Sequence, residues 1–486
     1  MAGTAPLDGG GTRYAQVADH LGDLIRRGTY APGDRVPSVR QLSRELGVSM
    51  TTVLEAYGRL ETRGLIESRP QRGFFVRRSL PERPRAPADS IARRAVDVSC
   101  AGLTSRVIAD ARRLPHGKLG AAVPDDALLP SGRLGRLLRS ASRDEHRLGL
   151  HYDVGLGDVT LRSLVAQRAH FGGASIGPDE VLVTNGATEA LAIALRATCR
   201  PGDLVAVETP TYFNHLQLLE HLGLRAIEIP TDCCTGLSIP ALELALAEHE
   251  VRAVLTVPSF QNPTGGCMDA ADRRRLVELC ARHHVPVIED DIYGELHFGG
   301  ARPPLLKSFD RDGGVLLCSS VSKTLAPGFR VGWLVAGRWQ DQAVKAKVLT
   351  TLGSPTVTQA VTGAFLAGGD FDRHLRRIRP VYERRIDALT RALRQHLPAE
   401  TRITAPAGGL VLWLELPETI EVMTLYEAAV AAGIAFAPGP AFSAKDRYRH
   451  HLRLNAACWN EGMEPAIATL GKLAAKVARR GTNPAG

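Results

Sequence analysis

The sequence predicts a multidomain protein in which a small N-terminal α+β domain precedes a much larger α/β domain with a mostly parallel sheet. Three observations predict it. The chain of 486 residues is too long for one simple domain. Its first 78 residues carry three short helical patterns and then a hairpin pattern, whereas apolar strand-like runs alternate with helical patterns in the rest. We place the domains at 13–80 and 97–486, with a proline-rich linker at 81–96.

The composition is that of a globular protein with a sizeable core, since 44% of residues are hydrophobic and 23% are charged. The first residues lack the basic and then apolar pattern of a secretion signal, and no apolar run approaches the roughly 18 residues that span a bilayer. The 8 cysteines show no CxxC spacing, so we expect reduced thiols without a zinc site or a disulfide framework. These features predict a cytoplasmic protein with no membrane partner and no bound metal.

Positive charge is concentrated near the N-terminus. The chain carries a net charge of +9, and residues 13–78 hold 12 arginines and no lysine against 7 acidic residues. Such a segment indicates either a polyanionic partner or a solvated arginine-rich face, and charge alone does not separate the two.

The order of elements in the first domain predicts a winged helix-turn-helix. A helix over "YAQVADHLGDLIRRG" ends at Gly28, and Ser38 begins a second short helix over "SVRQLSREL". Ser49 begins a third helix, "SMTTVLEAYGRLETRG", whose expected buried side is Val53, Leu54, Tyr57 and Leu60. The stretch "LIESRPQRGFFVRR" then predicts two short strands that form the wing.

A winged helix-turn-helix inserts its third helix into the major groove with the N-terminus first, where the helix dipole attracts phosphate. We therefore predict a DNA-binding set of Arg35, Ser38, Arg40, Ser49, Thr51, Thr52, Arg72 and Gly73. The stretch "GDRVPSVRQLSRELGVSMTTVLEAYGRLETRGLIESRPQRGFFV" resembles the DNA-binding domain of the GntR family of bacterial regulators almost end to end. Met50 departs from the family, in which arginine is common at this place. The resemblance implies that double-stranded operator DNA is a partner.

In the large domain, polar or aromatic residues follow several apolar strands, at the sheet edge where parallel sheets bind ligands. After "EVLVT", the sequence "NGAT" opens a helix and predicts an anion site. After "LVAVE" comes Tyr212, for which core packing is an equally good interpretation. Asn262 follows "AVLTVP", before a proline-rich turn.

Two further strand ends carry the charged groups. "VPVI" leads into "EDDIYGE", whose adjacent carboxylates repel one another, so at least one needs a partner; a metal is conceivable but no histidine or cysteine is near. "CSSVSK" places Lys323 among small residues, as a Schiff-base lysine that must spend time uncharged requires. Together, these strand-end residues suit a flat ligand with a phosphate, a basic ring nitrogen and an aldehyde. Pyridoxal 5′-phosphate has all of these groups.

Residues 97–475 resemble the fold-type I aminotransferases, which implies a smaller C-terminal subdomain beside the main sheet. The resemblance implies that Lys323, Asp290 and Tyr293 are catalytic: Lys323 bonds the cofactor, and Asp290 pairs with its ring nitrogen. Asp291 competes for that role, but Asp290 lies three residues before Tyr293, the usual spacing.

The same resemblance implies the remaining contacts. Tyr293 and Asn262 bond the ring hydroxyl, and Tyr212 stacks on the ring. The implied phosphate set is Ala187, Thr188, Ser320, Ser322 and Arg330. Arg453 binds a substrate carboxylate, and Tyr152 reaches the phosphate of a neighbouring subunit, which implies a homodimer.

The two halves together resemble the MocR type of GntR regulator. This implies a DNA-binding transcriptional regulator whose pyridoxal-phosphate domain senses a small amine or amino-acid effector by forming an external aldimine. Two alternatives stay open: an active aminotransferase with an appended DNA-binding domain, and a regulator that senses pyridoxal phosphate itself.

Overall fold

The computed structural model contains a small N-terminal domain and a large α/β domain, and it describes residues 12–26, 29–31, 33–69, 73–77, 83–84, 95–98, 101–144, 149–150 and 152–481. Only the backbone is described for Arg26, Ala101 and Gly481. The predicted helix end at Gly28, the predicted DNA contact Arg72 and most of the predicted linker lie outside the described residues. The domain boundaries at 80 and 96 therefore stay predictions.

The N-terminal domain has the predicted winged helix-turn-helix order. Its elements are α1 (Arg13–Arg26), α2 (Val39–Leu46), α3 (Met50–Thr62), β1 (Ile66–Arg69) and β2 (Gly73–Val76). The two strands pair antiparallel, with Ile66 opposite Val76. Ser38 and Ser49 cap α2 and α3, because their hydroxyls each accept a backbone N–H group from the first turn of the helix, at 3.2 and 3.1 Å.

The core of this domain forms between α1 and α3. Val53, Tyr57 and Leu60 are fully buried, at the spacing of one helix face, and they pack in one cluster with Leu21. The expectation that Leu54 is buried was wrong, since its side chain is 52% exposed. Leu54 follows Val53 directly, so the rotation between adjacent helical positions turns it away from the inward face.

The large domain is built on one twisted sheet. Its strands are β3 (Val96–Asp97), β4 (Val181–Thr184), β5 (Leu204–Thr209), β6 (Arg225–Asp232), β7 (Gly236–Leu237), β8 (Val251–Thr256), β9 (Val287–Asp290), β10 (Val315–Ser320) and β11 (Gly332–Val335). Their order is β3-β6-β5-β8-β9-β10-β11-β4, with β7 paired to β6. Strands β6, β5, β8, β9 and β10 are parallel, and β4 runs in the same direction because two antiparallel pairings separate it from β10.

Helices cover both faces of this sheet. The helices of this part of the chain are α4 (Ala101–Arg113), which packs against the C-terminal subdomain through Val107, and then α5 (Ser131–Ala141), α6 (Val159–Phe171), α7 (Ala187–Thr198), α8 (Phe213–His221), α9 (Ile239–Glu248), α10 (Ala270–Arg282), α11 (Gln340–Thr351), α12 (Thr356–Ala367) and α13 (Asp370–His396). Leu191 and Leu216 pack against one face, and Leu242 and Leu276 pack against the other. Both faces are therefore apolar, which is why the strands read as continuous hydrophobic runs.

A smaller C-terminal subdomain follows, as predicted. It consists of β12 (Arg402–Ile403), β13 (Val411–Glu415), α14 (Val422–Ala431), β14 (Ala437–Pro438), β15 (His451–Asn455) and α15 (Glu464–Gly481). The four strands form an antiparallel sheet in the order β12-β13-β15-β14. Within the described part of the chain, no helix is both long enough and apolar enough to cross a membrane.

The N-terminal domain rests on the long helix α13. Arg59 of α3 forms an ion pair with Glu383, and Arg391 donates to the Thr62 hydroxyl at 2.9 Å. Arg394 donates to the carbonyl of Arg63 at 3.3 Å. The C-terminal end of α3 is thus held against the large domain, whereas its N-terminal end is exposed.

We expect Ser49→Ala to destabilise the N-terminal domain by about 1 kcal/mol, because the first turn of α3 loses its side-chain cap. Thermal or urea unfolding followed by circular dichroism measures this. Thr51→Ala is the matched control, since Thr51 is exposed on the same turn and does not cap it. Equal stability of the two variants would contradict the capping role.

Candidate cofactor and DNA-binding sites

Five strand ends converge on one edge of the main sheet. Because β4, β5, β8, β9 and β10 run in the same direction, the segments that follow them meet there. These segments carry Gly186, Tyr212, Asn262 and Lys323, and Asp290 is the last residue of β9. The structure therefore brings together residues that lie up to 137 positions apart in the sequence.

The three adjacent carboxylates after β9 have different partners. Glu289 accepts two backbone N–H groups at 2.8 and 3.0 Å, and burial raises its pKa to about 7. Asp291 forms an ion pair with Arg302, although burial still raises its pKa to about 6. Asp290 and Asp291 each keep one buried oxygen, Oδ1, that accepts no hydrogen bond from the described residues. The Asp291 oxygen faces the backbone of Gly294, where a Cβ would collide with it, so Asp290 is the group placed to meet a ligand.

His215 supports Asp290 and was missed by the sequence analysis. Its Nε2 lies 3.1 Å from Asp290 Oδ2, and both side chains are buried. The ring also lies 5.5 Å from that of Tyr212, three positions earlier on the same helical turn. That spacing was the available signal, since residues three apart at the start of α8 share one face.

Lys323 lies just beyond β10. Its Nζ donates to the carbonyl of Ala122 at 2.6 Å. Burial lowers the pKa of the Lys323 ammonium to about 8, and the positive charge of Arg453 acts in the same direction. About a tenth of this amine is therefore neutral, and hence nucleophilic, at pH 7, far more than for an ordinary lysine.

Arg453 reaches the site from β15 of the C-terminal subdomain. It is fully buried, and its Nη1 donates to Asn262 Oδ1 at 3.1 Å while Nη2 donates to the carbonyl of Gly120. Arg453 Nε and Asn262 Nδ2 have no hydrogen-bond partner among the described residues. Burial raises the pKa of both Tyr293 and Tyr212, which are close enough to interact electrostatically with Arg453.

An anion cradle lies at the N-terminus of α7. Gly186, with φ of 83°, precedes the helix, and a Cβ at this position would collide with the Arg330 guanidinium. Arg330 donates to the carbonyl of Asn185 at 3.0 Å and to the Ser322 hydroxyl at 3.4 Å. The remaining predicted phosphate residues are Ala187 and Thr188 in the first turn of α7, and Ser320 at the end of β10. Backbone N–H groups at a helix start, a guanidinium and hydroxyls together fit a phosphate.

The groups that lack partners fit the predicted pyridoxal phosphate. The bare carboxylate oxygen of Asp290 matches a protonated ring nitrogen, and the bare amide N–H of Asn262 matches the ring hydroxyl oxygen. The Gly186 turn with Arg330 matches the phosphate, and the amine of Lys323 matches the aldehyde. Buried polar atoms without partners are costly, so their position around one space indicates a bound group that satisfies them.

Tyr152 stands apart from this cluster within its own chain. Its side chain is 85% exposed, and the structure shows no hydrogen bond or ring contact from it to the other predicted cofactor residues in the described ranges. Its role toward a neighbouring subunit stays a prediction.

The predicted DNA-binding residues other than Arg72, which lies outside the described residues, are on the surface of the N-terminal domain. Arg35, Arg40 and Thr51 are exposed. The Thr52 hydroxyl lies 2.8 Å from that of Ser49, so both groups are engaged in the cap of α3. Gly73, at the start of β2 with φ of 96°, lies so close to the Arg35 guanidinium that a Cβ there would stand 3.3 Å from it.

Comparison with known proteins identifies both domains. Residues 13–76 match the family "Bacterial regulatory proteins, gntR family", and residues 141–470 match "Aminotransferase class I and II". The chain is 37% identical to each of two Escherichia coli K12 proteins named as uncharacterized HTH-type transcriptional regulators, YjiR and YdcR, with 95% of this chain and 98% of each relative covered.

A solved structure shares the fold of the large domain. The α-aminoadipate aminotransferase LysN of Thermus thermophilus, in complex with N-(5′-phosphopyridoxyl)-L-leucine, is 32% identical, with a TM-score of 0.71 over 76% of this chain and 95% of LysN. The full-length relatives and the two family matches agree with the winged helix and the aminotransferase-like fold described above. This chain belongs to the MocR type of gntR-family transcriptional regulator, in which a DNA-binding winged helix precedes an aminotransferase class I and II domain.

Proposed function

We propose that this regulator acts in the cytoplasm as a homodimer on operator DNA and that its large domain senses a small amine or amino acid. The observation that carries the sensing proposal is that one helix, α13, contacts both the cofactor site and the DNA-binding domain. Pyridoxal phosphate, once bound, supplies an aldehyde that condenses with primary amines and a ring that accepts electrons.

The chain's own residues position that cofactor. Lys323 supplies the amine that bonds it, and Asp290, held by His215, keeps the ring nitrogen protonated. Tyr293 and Asn262 form hydrogen bonds with the ring hydroxyl, and Tyr212 stacks on the ring. The phosphate is held by Arg330 together with Ala187, Thr188, Ser320 and Ser322. The phosphopyridoxyl compound in the related LysN structure supports this assignment.

Arg453 is the group that we assign to an effector carboxylate. In the structure its Nη2 donates to the carbonyl of Gly120, and a carboxylate that forks onto the guanidinium competes for the same N–H groups. Likewise, an amine that bonded the cofactor in place of Lys323 would free Lys323 Nζ, which could then donate to the carbonyl of Ala122 as it does in the structure. An effector with both groups therefore alters two hydrogen bonds to one short segment, residues 118–125.

That segment is tied to α13. Arg385 of α13 donates to Asp125 at 2.7 Å, and just beyond the segment Arg377 donates to the carbonyl of Leu128 at 2.6 Å. A second tie comes from His374, whose Nε2 lies 2.7 Å from the carbonyl of Thr324, the neighbour of Lys323. Helix α13 is thus hydrogen-bonded to chain segments on both sides of the proposed effector site.

The same helix holds the DNA-binding domain through Glu383 and Arg59. An effector shifts an equilibrium only by the difference in its affinity for the two states. The effector must therefore bind more tightly to the state in which α13 has moved together with the segment 118–125. A change of about 1.4 kcal/mol is enough for a tenfold change in the ratio of the states. The relative placement of the two DNA-binding domains in a dimer then changes with the position of α13.

An exposed apolar strip supports the homodimer. Leu150, Tyr152, Val154 and Leu349 are all more than half exposed, and Val154 pairs with Gly353 in an isolated antiparallel bridge that joins the two stretches. A strip of large apolar side chains is typical of a surface that another chain covers. Tyr152 lies within it, as its predicted reach to the neighbouring phosphate requires.

Amino transfer is a second candidate function, because the site holds a partly neutral amine, Lys323, beside Arg453, a buried arginine suited to a carboxylate. Release of a keto acid with repeated turnover favours this function, whereas an effector that changes operator affinity without turnover favours sensing. A response to pyridoxal phosphate alone favours the third possibility, a cofactor sensor.

For DNA binding, we expect Arg40→Ala to lower the slope of log affinity against log salt by about 1 per DNA-binding domain, because one phosphate contact is lost. Thr51→Ala should leave the slope unchanged and alter which operator sequences are preferred, since a base contact specifies sequence. Fluorescence anisotropy at several salt concentrations, with a randomised operator library, measures both. An unaltered preference in Thr51→Ala would show that this turn of α3 does not read the bases.

For the cofactor, borohydride should fix pyridoxal phosphate to Lys323, and Lys323→Ala should abolish the covalent link. In cofactor-free wild-type protein the loading rate should rise with pH through about 8, because only the neutral amine attacks and its pKa is about 8. Peptide mapping and absorbance kinetics test the two statements. Label on another lysine would overturn the assignment.

For the coupling, we expect Arg59→Ala to keep cofactor and basal operator affinity but to lose the effector response, because α3 is released from Glu383. The change in operator affinity caused by an amino acid should fall from about tenfold to less than about twofold. Gel shifts with a panel of amino acids and simple amines measure it.

Arg63→Ala is the matched control, since the Arg63 guanidinium forms its ion pair with Asp19 inside the N-terminal domain and acts on Glu383 and Asp387 of α13 through its charge alone. It should respond like the wild type. A full response in Arg59→Ala would remove α13 from the route, and a wild type that responds to no compound in the panel would contradict sensing itself.

A further inference from the structure

Two adjacent cysteines occupy the turn between β6 and β7. Asp232 pairs with Gly236 across the hairpin, so Cys233, Cys234 and Thr235 form its loop. Asp232 Oδ1 accepts the backbone N–H groups of Cys234 and Thr235 at 2.7 and 3.1 Å, which fixes the shape of the loop. The two thiols are half-buried, and their sulfur atoms lie 3.6 Å apart.

This loop has the donor set of a soft-cation site. Asp232, Cys233 and Cys234 each contribute one ligand atom, and these three atoms lie within 4.8 Å of one another. Among the described residues, this is the one group of three or more histidine, cysteine or acidic side chains with such spacing. Two thiolates on a tetrahedral cation, with metal–sulfur bonds of about 2.3 Å, stand roughly 3.7 Å apart. The observed 3.6 Å separation already matches that span. We propose that Asp232, Cys233 and Cys234 bind a thiophilic divalent cation such as Zn²⁺ or Cd²⁺, with water completing the coordination.

The geometry favours a cation over a disulfide. Adjacent cysteines close an eight-membered ring when they oxidise, and the sulfur atoms would have to move from 3.6 Å to about 2.05 Å while the peptide between them distorts. A cation needs no such movement. The third donor, the carboxylate of Asp232, has a role at a cation and none in a disulfide.

The linker between the domains contacts the same thiols. The Arg83 guanidinium lies against Cys234 Sγ, and the carbonyl of Pro84 lies 3.8 Å from Cys233 Sγ. A cation at the thiols repels the Arg83 guanidinium and takes the sulfur that it contacts. Cation binding therefore displaces the linker segment 83–84 from the large domain, and its consequence for DNA binding rests on the proposed function.

The loop also touches the cofactor site from the other side. The backbone of Cys233 packs on Gly266, where a Cβ would stand 3.1 Å from the Cys233 carbonyl group. Gly266 lies four positions after Asn262, in the turn that carries it. The cysteine loop is thus placed between the linker and one wall of the cofactor site.

The test is a Cd²⁺ titration of the reduced, full-length, cofactor-loaded protein, followed by the ultraviolet charge-transfer absorption of cadmium–thiolate bonds. We expect one Cd²⁺ per chain in the wild type and loss of this absorption in Cys233→Ser and in Cys234→Ser. Cys199→Ser is the matched control, because it removes a half-buried cysteine elsewhere in the large domain. Arg83→Ala should tighten Cd²⁺ binding by up to about fivefold, since a competing charge is gone.

The outcomes separate the possibilities without DNA, so a failure here is distinct from a failure of the proposed function. Equal Cd²⁺ absorption in all cysteine variants would mean unspecific binding to thiols and would overturn the site. Absence of Cd²⁺ binding together with a loss of two hydrogen masses on mild peroxide treatment would replace it with a disulfide. Unchanged affinity in Arg83→Ala would overturn the competition with the linker.

Discussion

The site depends on one buried carboxylate, Asp290, that has only half of its hydrogen-bonding capacity used. His215 engages Oδ2, and Oδ1 is buried without a donor from the described residues. Leaving a buried carboxylate oxygen without a donor costs more than an ordinary hydrogen bond contributes, so a donor opposite Oδ1 stabilises this position. A protonated ring nitrogen is such a donor. The sheet, whose strand ends surround this point, places the predicted cofactor contacts Asn262, Lys323 and the Gly186 turn relative to it.

Much of the fold was predictable because its signals are local. The alternation of apolar runs with helical patterns predicted the parallel sheet, and serine caps predicted where α2 and α3 begin. The preference for Asp290 over Asp291 rested on a family spacing. Its physical reason, the ion pair of Asp291 with Arg302, joins residues eleven positions apart through an irregular segment, and no periodic pattern marks such a contact.

The contacts between distant parts of the chain were not predictable. Arg59 has the surroundings of a surface arginine in the sequence, yet it is 9% exposed because α13, more than 300 residues later, covers it. The carbonyls of Gly120 and Ala122 carry no side-chain signal at all, although they accept from Arg453 and Lys323. The proposed metal site in the cysteine loop was not predicted for a related reason. Sequence patterns of metal sites have cysteines separated by two or more residues, whereas Cys233 and Cys234 are adjacent.

The use of backbone carbonyls at the proposed effector site has a consequence for how an aminotransferase fold can signal. In the structure, Gly120 and Ala122 accept hydrogen bonds from Arg453 and Lys323, but a Lys323 that bonds the cofactor no longer donates to Ala122 as a free amine. An effector carboxylate would then take Arg453 from Gly120, whereas an effector amine that bonded the cofactor would free Lys323 to donate to Ala122, while Arg385 still holds Asp125. Since buried carbonyls cannot stay unpaired without cost, the segment has two distinct arrangements instead of a continuous range. An effector with only one of the two groups would make only one of these changes. The proposed site would therefore distinguish amino acids from simple amines and simple acids by which of the two carbonyls keeps a partner.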